Sequence, residues 1–235
     1  MVDVVLGSDG LPRCAWATSA PDYQAYHDLE WGRPVGDVRS VYETLCLEGF
    51  QAGLSWLTIL RKRDGFRDAF AGFDPEVVAG FQEADVERLV VDGRIVRHRG
   101  KIVAAINNAR ATVELQRQGD SLAAIVWGHA AAASSTALCG HADAGGHPGS
   151  GGHLGPGGHR ASAAPAPARA SDIAPSTPGS KALSVELRRR GFVFVGPTTV
   201  YATMQALGVV NDHLQGCHWR EVVEEERASF RGGRP

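Results

Sequence analysis

The chain has 235 residues, of which 43% are hydrophobic, and its formal net charge at pH 7 is −2. That length and hydrophobic content suffice for one large or two small globular domains, and the small net charge excludes a global electrostatic attraction to nucleic acid. Because the chain has neither a run of about 18 apolar residues nor an N-terminal secretory signal, we expect a cytoplasmic protein with no membrane partner.

Apolar residues recur at helical spacing along most of the chain, which predicts an all-α fold. One helix is expected to begin at Pro75, because Asp74 is a good N-cap and proline is favoured in the first helical position. Residues 192–195 have the composition of a β-strand, but the sequence offers no partner strand, so we interpret them as a buried connector. The other predicted helices are residues 40–48, 54–70, 84–91, 100–118, 121–127, 181–190 and 198–207.

Residues 129–176 differ from the rest of the chain, since they are rich in Ala, Gly, His, Pro and Ser and contain few large apolar side chains. Such a segment buries too little surface to offset the entropy of ordering it, so we predict a disordered, low-complexity insertion. Its histidines could form a weak metal-binding tract, although a low-complexity repeat explains them more simply. They recur every six residues, at His141, His147, His153 and His159.

Two pairs of potential metal ligands lie near the two ends of the chain. They are Cys14 with His27, and His213 with Cys217. Two cysteines and two histidines can hold zinc with no coordination position left for water, so such a site would be structural rather than catalytic. The second pair is spaced i, i+4 and would share one face of a short helix capped by the preceding Asn-Asp pair. Chance occurrence is the alternative, because the two pairs are far apart in the sequence.

Residues 89–106 predict two helices joined by a short turn that contains Gly93 and is flanked by basic side chains. A turn of this kind presents backbone N–H groups at the start of the second helix, where they can bind a phosphate. Arginine and lysine side chains add charge-assisted contacts. The pattern indicates a helix-hairpin-helix motif that binds the DNA backbone without sequence preference, although many other helix–turn–helix joints carry glycine and arginine.

A single carboxylate, Glu48, ends one predicted helix and enters the glycine-flanked turn that leads to the next, with several aromatic residues before and after it in the chain. Aromatic faces attract a flat or cationic ring by stacking and cation–π interaction, and a carboxylate accepts hydrogen bonds from the N–H groups of such a ring. Together with a DNA-binding hairpin, this combination favours a nucleobase pocket. Individually, each tryptophan is typical of a core residue, and Glu48 of a surface charge at a helix end. The aromatic residues are Tyr23, Tyr26, Trp31 and Trp56.

Several motifs, in order, resemble the DNA-3-methyladenine glycosylase I family of the helix-hairpin-helix glycosylase superfamily. The resemblance covers most of residues 13–128 and 171–218. The chain departs from the family pattern in two places: Gly93 is followed by Arg94 rather than by two aliphatic residues, and the long insertion replaces a shorter connection. The matching motifs are residues 13–16, 26–32, 47–56, 97–102, 190–192, 194–196, 204–206, 210–213 and 216–217.

The resemblance implies a helix-hairpin-helix DNA glycosylase fold with a zinc-binding region formed by the N- and C-termini. The helix-hairpin-helix DNA-binding domain is expected at 39–128, and a zinc-stapled helical domain at 10–38 together with 177–225. The low-complexity insertion at 129–176 separates the two parts. One structural zinc ion is the implied cofactor. Its ligands are expected to be Cys14, His27, His213 and Cys217.

The resemblance further implies a monofunctional glycosylase of DNA base-excision repair. Such an enzyme hydrolyses the N-glycosidic bond of 3-methyladenine in alkylated double-stranded DNA, releases the free base and leaves an abasic site. We expect it to act as a monomer. Glu48 is the implied base-recognising acid and catalytic residue, with an electrostatic role in the transition state that is secondary. The other implied base-binding residues are Tyr26, Trp31 and Trp56, and DNA-backbone contacts are expected from Arg97, Arg99, Gly100 and Lys101.

Two other functions fit the same residues. A damage sensor would flip and hold alkylated bases without cleaving them, because the chemistry relies on the reactivity of a cationic base rather than on a distinctive nucleophile. A zinc hydrolase would need an open coordination position at the metal. Release of free base from alkylated DNA distinguishes the first alternative, and the effect of removing one zinc ligand distinguishes the second.

Overall fold

The computed structural model of the protein describes residues 3–133 and 166–230, and most of these residues are helical. Residues 134–165, which include all four recurring histidines, lie outside the described residues, so disorder there stays a prediction, whereas the described ends of the predicted insertion contain short helices at Ala130–Ala133 and Ala170–Asp172. Short 3-10 helices cover Ala15–Ser19, Ala71–Phe73 and Ala170–Asp172. The α-helices are α1 (Pro21–Leu29), α2 (Val38–Gln51), α3 (Trp56–Ala69), α4 (Pro75–Ala79), α5 (Glu83–Val90), α6 (Arg99–Arg117), α7 (Leu122–Gly128), α8 (Ala130–Ala133), α9 (Pro178–Arg189), α10 (Pro197–Ala206) and α11 (Trp219–Ser229).

The predicted helices correspond to α2–α7, α9 and α10, with ends shifted by a few residues. Helix α4 begins at Pro75 as expected, and its N-cap Asp74 accepts a hydrogen bond from the Glu76 N–H at 3.1 Å. The sequence does not predict α1, which mixes polar and aromatic side chains, or α11, which is rich in glutamate and buries only Val223. Within the described residues, no helix is both long and apolar enough to cross a membrane.

A small antiparallel sheet departs from the all-α prediction. It pairs β1 (Val4–Leu6) with β2 (Pro12–Cys14), and Val4 lies opposite Cys14. Gly10 has a φ of +76°, a left-handed conformation that glycine adopts readily, and it lies in the turn between the strands. Strands of three residues are too short for alternation to reveal them in a sequence. The sheet places Cys14 in the protein interior, where none of its surface is exposed.

One hydrophobic cluster extends through both of the predicted domains. Its members include Phe50 of α2, Leu187 of α9 and Met204 of α10. Helices α2 and α6 pack closely enough for the buried Tyr42 hydroxyl to donate a hydrogen bond to the Ala105 carbonyl oxygen at 2.9 Å. The division into two domains stays a prediction. Helix α2 packs against α3, α6 and α10.

Residues 192–195 form a loop, and only its two ends are buried. Phe192 and Val195 lie in the core, whereas Val193 and Phe194 are 41% and 47% exposed, so the expectation of a buried connector was right for the ends of the segment and wrong for its middle. Asn108 of α6 is itself buried and holds the loop, because its side chain both donates to the Val193 carbonyl oxygen (3.0 Å) and accepts from the Val193 N–H (2.8 Å).

Candidate functional site

Helices α1, α2, α3 and α10 line an open cavity of about 280 Å³. The cavity brings together four residues that the sequence predicts as base-binding: Glu48, Tyr26, Trp31 and Trp56. Its volume is near the lower limit of about 300 Å³ for small-molecule pockets, so it suits a single heterocycle better than a whole nucleotide. The other lining residues are Trp16, Ser19, Tyr23, Gln51, Ala202 and Gln205.

Glu48 lies in the last turn of α2 with only 6% of its surface exposed. None of the described residues donates a hydrogen bond to its carboxyl group, which therefore has unused acceptor capacity at the cavity. Burial raises the pKa of Glu48 to about 8, because removal from water disfavours the charged form. A carboxyl group in this environment gains strongly from a cation that enters the cavity, since the surrounding dielectric constant is low.

Lys101 and Tyr23 fix the loop that joins α2 to α3. The Lys101 ammonium donates to the carbonyl oxygens of Phe50 (2.9 Å) and Ala52 (2.6 Å), where its charge also complements the C-terminal end of the helix dipole. Lys101 is only 8% exposed, so the expectation that it contacts the DNA backbone does not fit the structure. The Tyr23 hydroxyl accepts a hydrogen bond from the Leu57 N–H at 2.9 Å in the first turn of α3.

The aromatic walls of the cavity support one another. Tyr26 and Trp56 have ring centroids 5.4 Å apart, and Trp16 packs edge-to-face on Trp31 at 5.1 Å. Burial, and then the charge of the neighbouring Glu48, raise the pKa of Tyr26 well above its ordinary value. The Tyr26 hydroxyl consequently remains a hydrogen-bond donor at neutral pH. Rigid rings around one acidic group can recognise a planar cation by shape and by charge.

The four predicted metal ligands converge in space. Cys14, His27, His213 and Cys217 are all buried, and their candidate ligand atoms lie within 4.8 Å of one another. At zinc–ligand distances of about 2.0–2.3 Å, tetrahedral ligand atoms lie roughly 3.3–3.8 Å apart. The Cys217 Sγ lies 3.6 Å from the His27 Nε2 and 3.5 Å from the His213 Nδ1, which fits that arrangement. Hydrogen bonding from Cys14 lowers the pKa of Cys217 and favours a thiolate ligand.

Contacts around the two histidines hold one ring nitrogen of each and leave the other toward the thiols. The His27 Nδ1 pairs with Asp28 at 2.8 Å, and Arg13 in turn holds Asp28 at 2.9 Å. The His213 Nε2 lies 3.1 Å from the Trp31 carbonyl oxygen. Only the His27 Nε2 and the His213 Nδ1 are then left to face the thiols, as expected for metal-ligating histidines with outer hydrogen-bond partners. The contact between the His213 Nε2 and the Trp31 carbonyl oxygen also joins this cluster to Trp31, which lines the cavity.

His213 and Cys217 do not lie on a helix, and that part of the sequence prediction was wrong. They occupy an irregular segment between α10 and α11. Asn211 accepts a hydrogen bond from the His213 N–H at 3.3 Å, so it forms a local turn instead of capping a helix. Gly216, with a φ of +86°, then reverses the chain and returns Cys217 to the cluster.

The turn between α5 and α6 occupies the position of the predicted hairpin, with Arg97, Arg99 and Gly100 exposed. In the first turn of α6, the backbone N–H groups of Arg99 and Gly100 have no acceptor among the described residues. Arg99 pairs with Glu83 (2.5 Å) and Glu87 of α5. Arg97 forms no ion pair within residues 3–133 and 166–230, so its charge is available to a phosphate.

The sequence analysis does not single out Leu54 or Gln205 as functional residues. Leu54 is 43% exposed and follows Gly53, which has a φ of +82°, in the loop beside the cavity. Nothing in the sequence marks this leucine as exposed. Gln205 lines the cavity from α10 and lies in one of the motifs that carry the family resemblance, at residues 204–206. That motif is the signal from which its position in the site could have been inferred.

Comparison with known proteins identifies the family of the chain. The chain matches the methyladenine glycosylase family over residues 16–143 and 159–221. It is 44% identical over 211 residues to DNA-3-methyladenine glycosylase 1 of Escherichia coli, and the alignment covers 88% of this chain and 96% of that protein.

Two solved structures are similar along nearly their whole length. A crystal structure of 3-methyladenine DNA glycosylase I has a TM-score of 0.73 and 42% identity, covering 88% of this chain and 98% of that one. A variant of 3-methyladenine DNA glycosylase I in complex with 3-methyladenine has a TM-score of 0.72 and 30% identity, covering 88% and 97%. By sequence and by its mostly helical architecture, the chain therefore belongs to the methyladenine glycosylase family.

Proposed function

We propose that this protein removes 3-methyladenine from alkylated double-stranded DNA as a base-excision repair glycosylase. It hydrolyses the N-glycosidic bond, releases the free base and leaves an abasic site. The observation that carries the proposal is the buried carboxyl group of Glu48 in an aromatic-walled cavity the size of one heterocycle. A relative named for this activity and a related structure with bound 3-methyladenine support the same substrate.

The positive charge of the methylated ring is the property that the cavity distinguishes. The Glu48 carboxylate attracts the cation, and the faces of Tyr26, Trp31 and Trp56 add stacking and cation–π attraction. Unmodified adenine is neutral and does not offset the desolvation of an ionised Glu48. The difference between the two binding free energies supplies the selectivity.

The charge of the base also determines what the protein must do for catalysis. It weakens the glycosidic bond, so no acid is needed to protonate the leaving base. The residues hold the base cation and leave the oxocarbenium-like sugar open to water at C1′. Glu48 is the one acidic side chain among the described residues that line this cavity. Its attraction for the developing positive charge on the sugar is a second, smaller contribution.

A base reaches the cavity only when its nucleotide is flipped out of the duplex, which costs a few kcal/mol. We propose that the Leu54 side chain fills the gap that the flipped nucleotide leaves in the base stack. This side chain is apolar and exposed, and Lys101 holds its loop from behind through two hydrogen bonds. Apolar side chains on rigid supports are suited to fill a step between base pairs.

Three further features of the chain belong to the proposal: a surface that binds DNA phosphates, a structural metal site and action as a monomer. The exposed start of α6 and Arg97 supply phosphate contacts that do not depend on sequence. One structural zinc ion would tie the termini together behind Trp31, and it would contribute stability rather than chemistry. One chain contains every element of the proposed site, so no second copy is required. The zinc ligands would be Cys14, His27, His213 and Cys217.

The proposal is tested by incubating the purified protein with methylated DNA and identifying the released bases by chromatography. We expect free 3-methyladenine in molar excess over the protein, together with abasic sites and no strand cleavage. Tight binding to the same DNA without release would indicate a damage sensor instead.

Trp56→Ala is expected to weaken inhibition by free 3-methyladenine roughly ten-fold, because stacking of one base on an aromatic ring contributes about 1–3 kcal/mol. Trp56→Phe retains an aromatic face, although on a smaller ring, and removes an indole N–H that has no acceptor among the described residues, so it should keep most of the inhibition. Equal inhibition of all three proteins would remove Trp56 from the base-binding site.

Arg97→Ala is expected to weaken binding to damaged and undamaged duplexes by the same factor. The slope of log affinity against log salt concentration should fall by about 1, since one phosphate contact is lost. Arg117→Ala changes an exposed arginine at the far end of the same helix and is the matched control. A salt dependence that is the same in Arg97→Ala and the control would exclude Arg97 from the DNA interface.

A further inference from the structure

The carboxamide of Gln205 is held in one orientation at the wall of the base cavity. Its Nε2 donates to the Asp212 Oδ2 at 2.8 Å. Asp212 is only 4% exposed, and the same oxygen accepts a hydrogen bond from the Tyr201 hydroxyl at 2.6 Å. Because a carboxylate oxygen accepts and does not donate, the amide must turn its NH2 group toward Asp212 and its carbonyl oxygen away from it.

This oriented carbonyl oxygen is an unused hydrogen-bond acceptor. No described residue donates to the Gln205 Oε1, and Gln205 lines the cavity together with Glu48. Gln51 lines the same cavity, but none of the residues in the described ranges hydrogen-bonds to its side chain, so its amide can present either end. Gln205 thus differs from Gln51 because the orientation of its amide group is fixed.

We infer that Gln205 is a specificity-determining residue that reads the substituent at position 6 of the bound base. Its carbonyl oxygen accepts one hydrogen of the exocyclic amino group, and Glu48 accepts the other. The inference rests on the proposed function and extends recognition from the charge of the ring to its edge. An amino group satisfies both acceptors. A carbonyl oxygen at that position has no hydrogen to donate, so it leaves the Gln205 carbonyl oxygen unpaired.

The test compares two free bases that differ at position 6, 3-methyladenine and 3-methylhypoxanthine, by quenching of tryptophan fluorescence. Gln205→Met keeps the length of the side chain and removes the amide, and it should reduce the preference for 3-methyladenine by about 2- to 10-fold. Gln118→Met, at the exposed C-terminal end of α6, should keep the wild-type preference. The ratio of the two affinities does not depend on the fraction of protein that is folded.

An unchanged preference in Gln205→Met overturns the role of Gln205 and leaves the proposed function intact. Weaker binding of both bases by one common factor also overturns it, because that result shows a packing role alone. If the wild-type protein binds neither base, the proposed function fails, and the assignment of Gln205 fails with it.

Discussion

Replacing Glu48 by glutamine is expected to reduce kcat/KM for 3-methyladenine release by about 10- to 100-fold, since a hydrogen bond to a charged group contributes about 1.5–3 kcal/mol. Glutamine preserves the shape of the side chain and one acceptor oxygen but carries no negative charge. The measurement is base release from methylated DNA under single-turnover and steady-state conditions. Glu114→Gln, on an exposed face of α6, makes the same chemical change outside the cavity and should retain wild-type activity.

The same substitution is expected to stabilise the protein at alkaline pH. The pKa of Glu48 is about 8 in the folded protein against an ordinary value of 4.5, so the folded state keeps a proton that the unfolded chain has lost. Wild-type stability therefore falls as the pH rises through this window, by on the order of 4 kcal/mol at pH 8. Glutamine does not titrate. The melting temperature of the wild type should decline relative to Glu48→Gln as the pH rises, and a constant difference would contradict the buried, unpaired carboxyl group.

Replacing Cys217 by serine is expected to remove zinc and to lower the melting temperature strongly. A metal present at about 1,000 times its dissociation constant stabilises the folded state by about 4 kcal/mol. For a protein of this size, that loss corresponds to roughly 8–16 °C. The cluster also supports Trp16 and Trp31, whose rings pack on His27 (5.1 Å) and His213 (4.7 Å). Zinc content and thermal unfolding, with and without a chelator, are the measurements.

Cys46→Ser is the matched control, because Cys46 is a buried thiol of α2 outside the metal-ligand cluster. It should retain zinc and should not respond to the chelator differently from the wild type. A Cys217→Ser protein that keeps its zinc and its melting temperature would exclude the closed structural site. Normal folding with selective loss of activity would favour an open, catalytic metal position instead.

Residue type and order predicted the parts of the site that depend on local chemistry. The four metal ligands and the acid among aromatic rings could be proposed because few functions use those side chains together. The path of the chain between His213 and Cys217 could not be predicted, since an i, i+4 spacing fits both a helix and the turn that Gly216 completes. The small sheet was missed because its strands are three residues long.

The remaining errors concern residues whose roles depend on tertiary contacts. Lys101 belongs to a basic run, so the sequence assigns it to DNA, but folding buries its ammonium against the end of α2. In the sequence, Gln205 is an ordinary helical glutamine. In the folded protein its amide is fixed by a hydrogen bond to Asp212, seven residues later. The exposure of Leu54 likewise depends on how α2 and α3 meet, which no local pattern encodes.

The most direct test of the central claim is an NMR titration of the Glu48 carboxyl group with and without 3,9-dimethyladeninium, in which the N9 methyl group stands for the sugar. In the free protein the midpoint should lie near pH 8. With the bound cation it should fall, because an opposite charge nearby favours the carboxylate, whereas neutral 9-methyladenine should not lower it. A Glu48 that titrates near 4.5 in the free protein and does not respond to the cation would contradict recognition of the charged base by this residue.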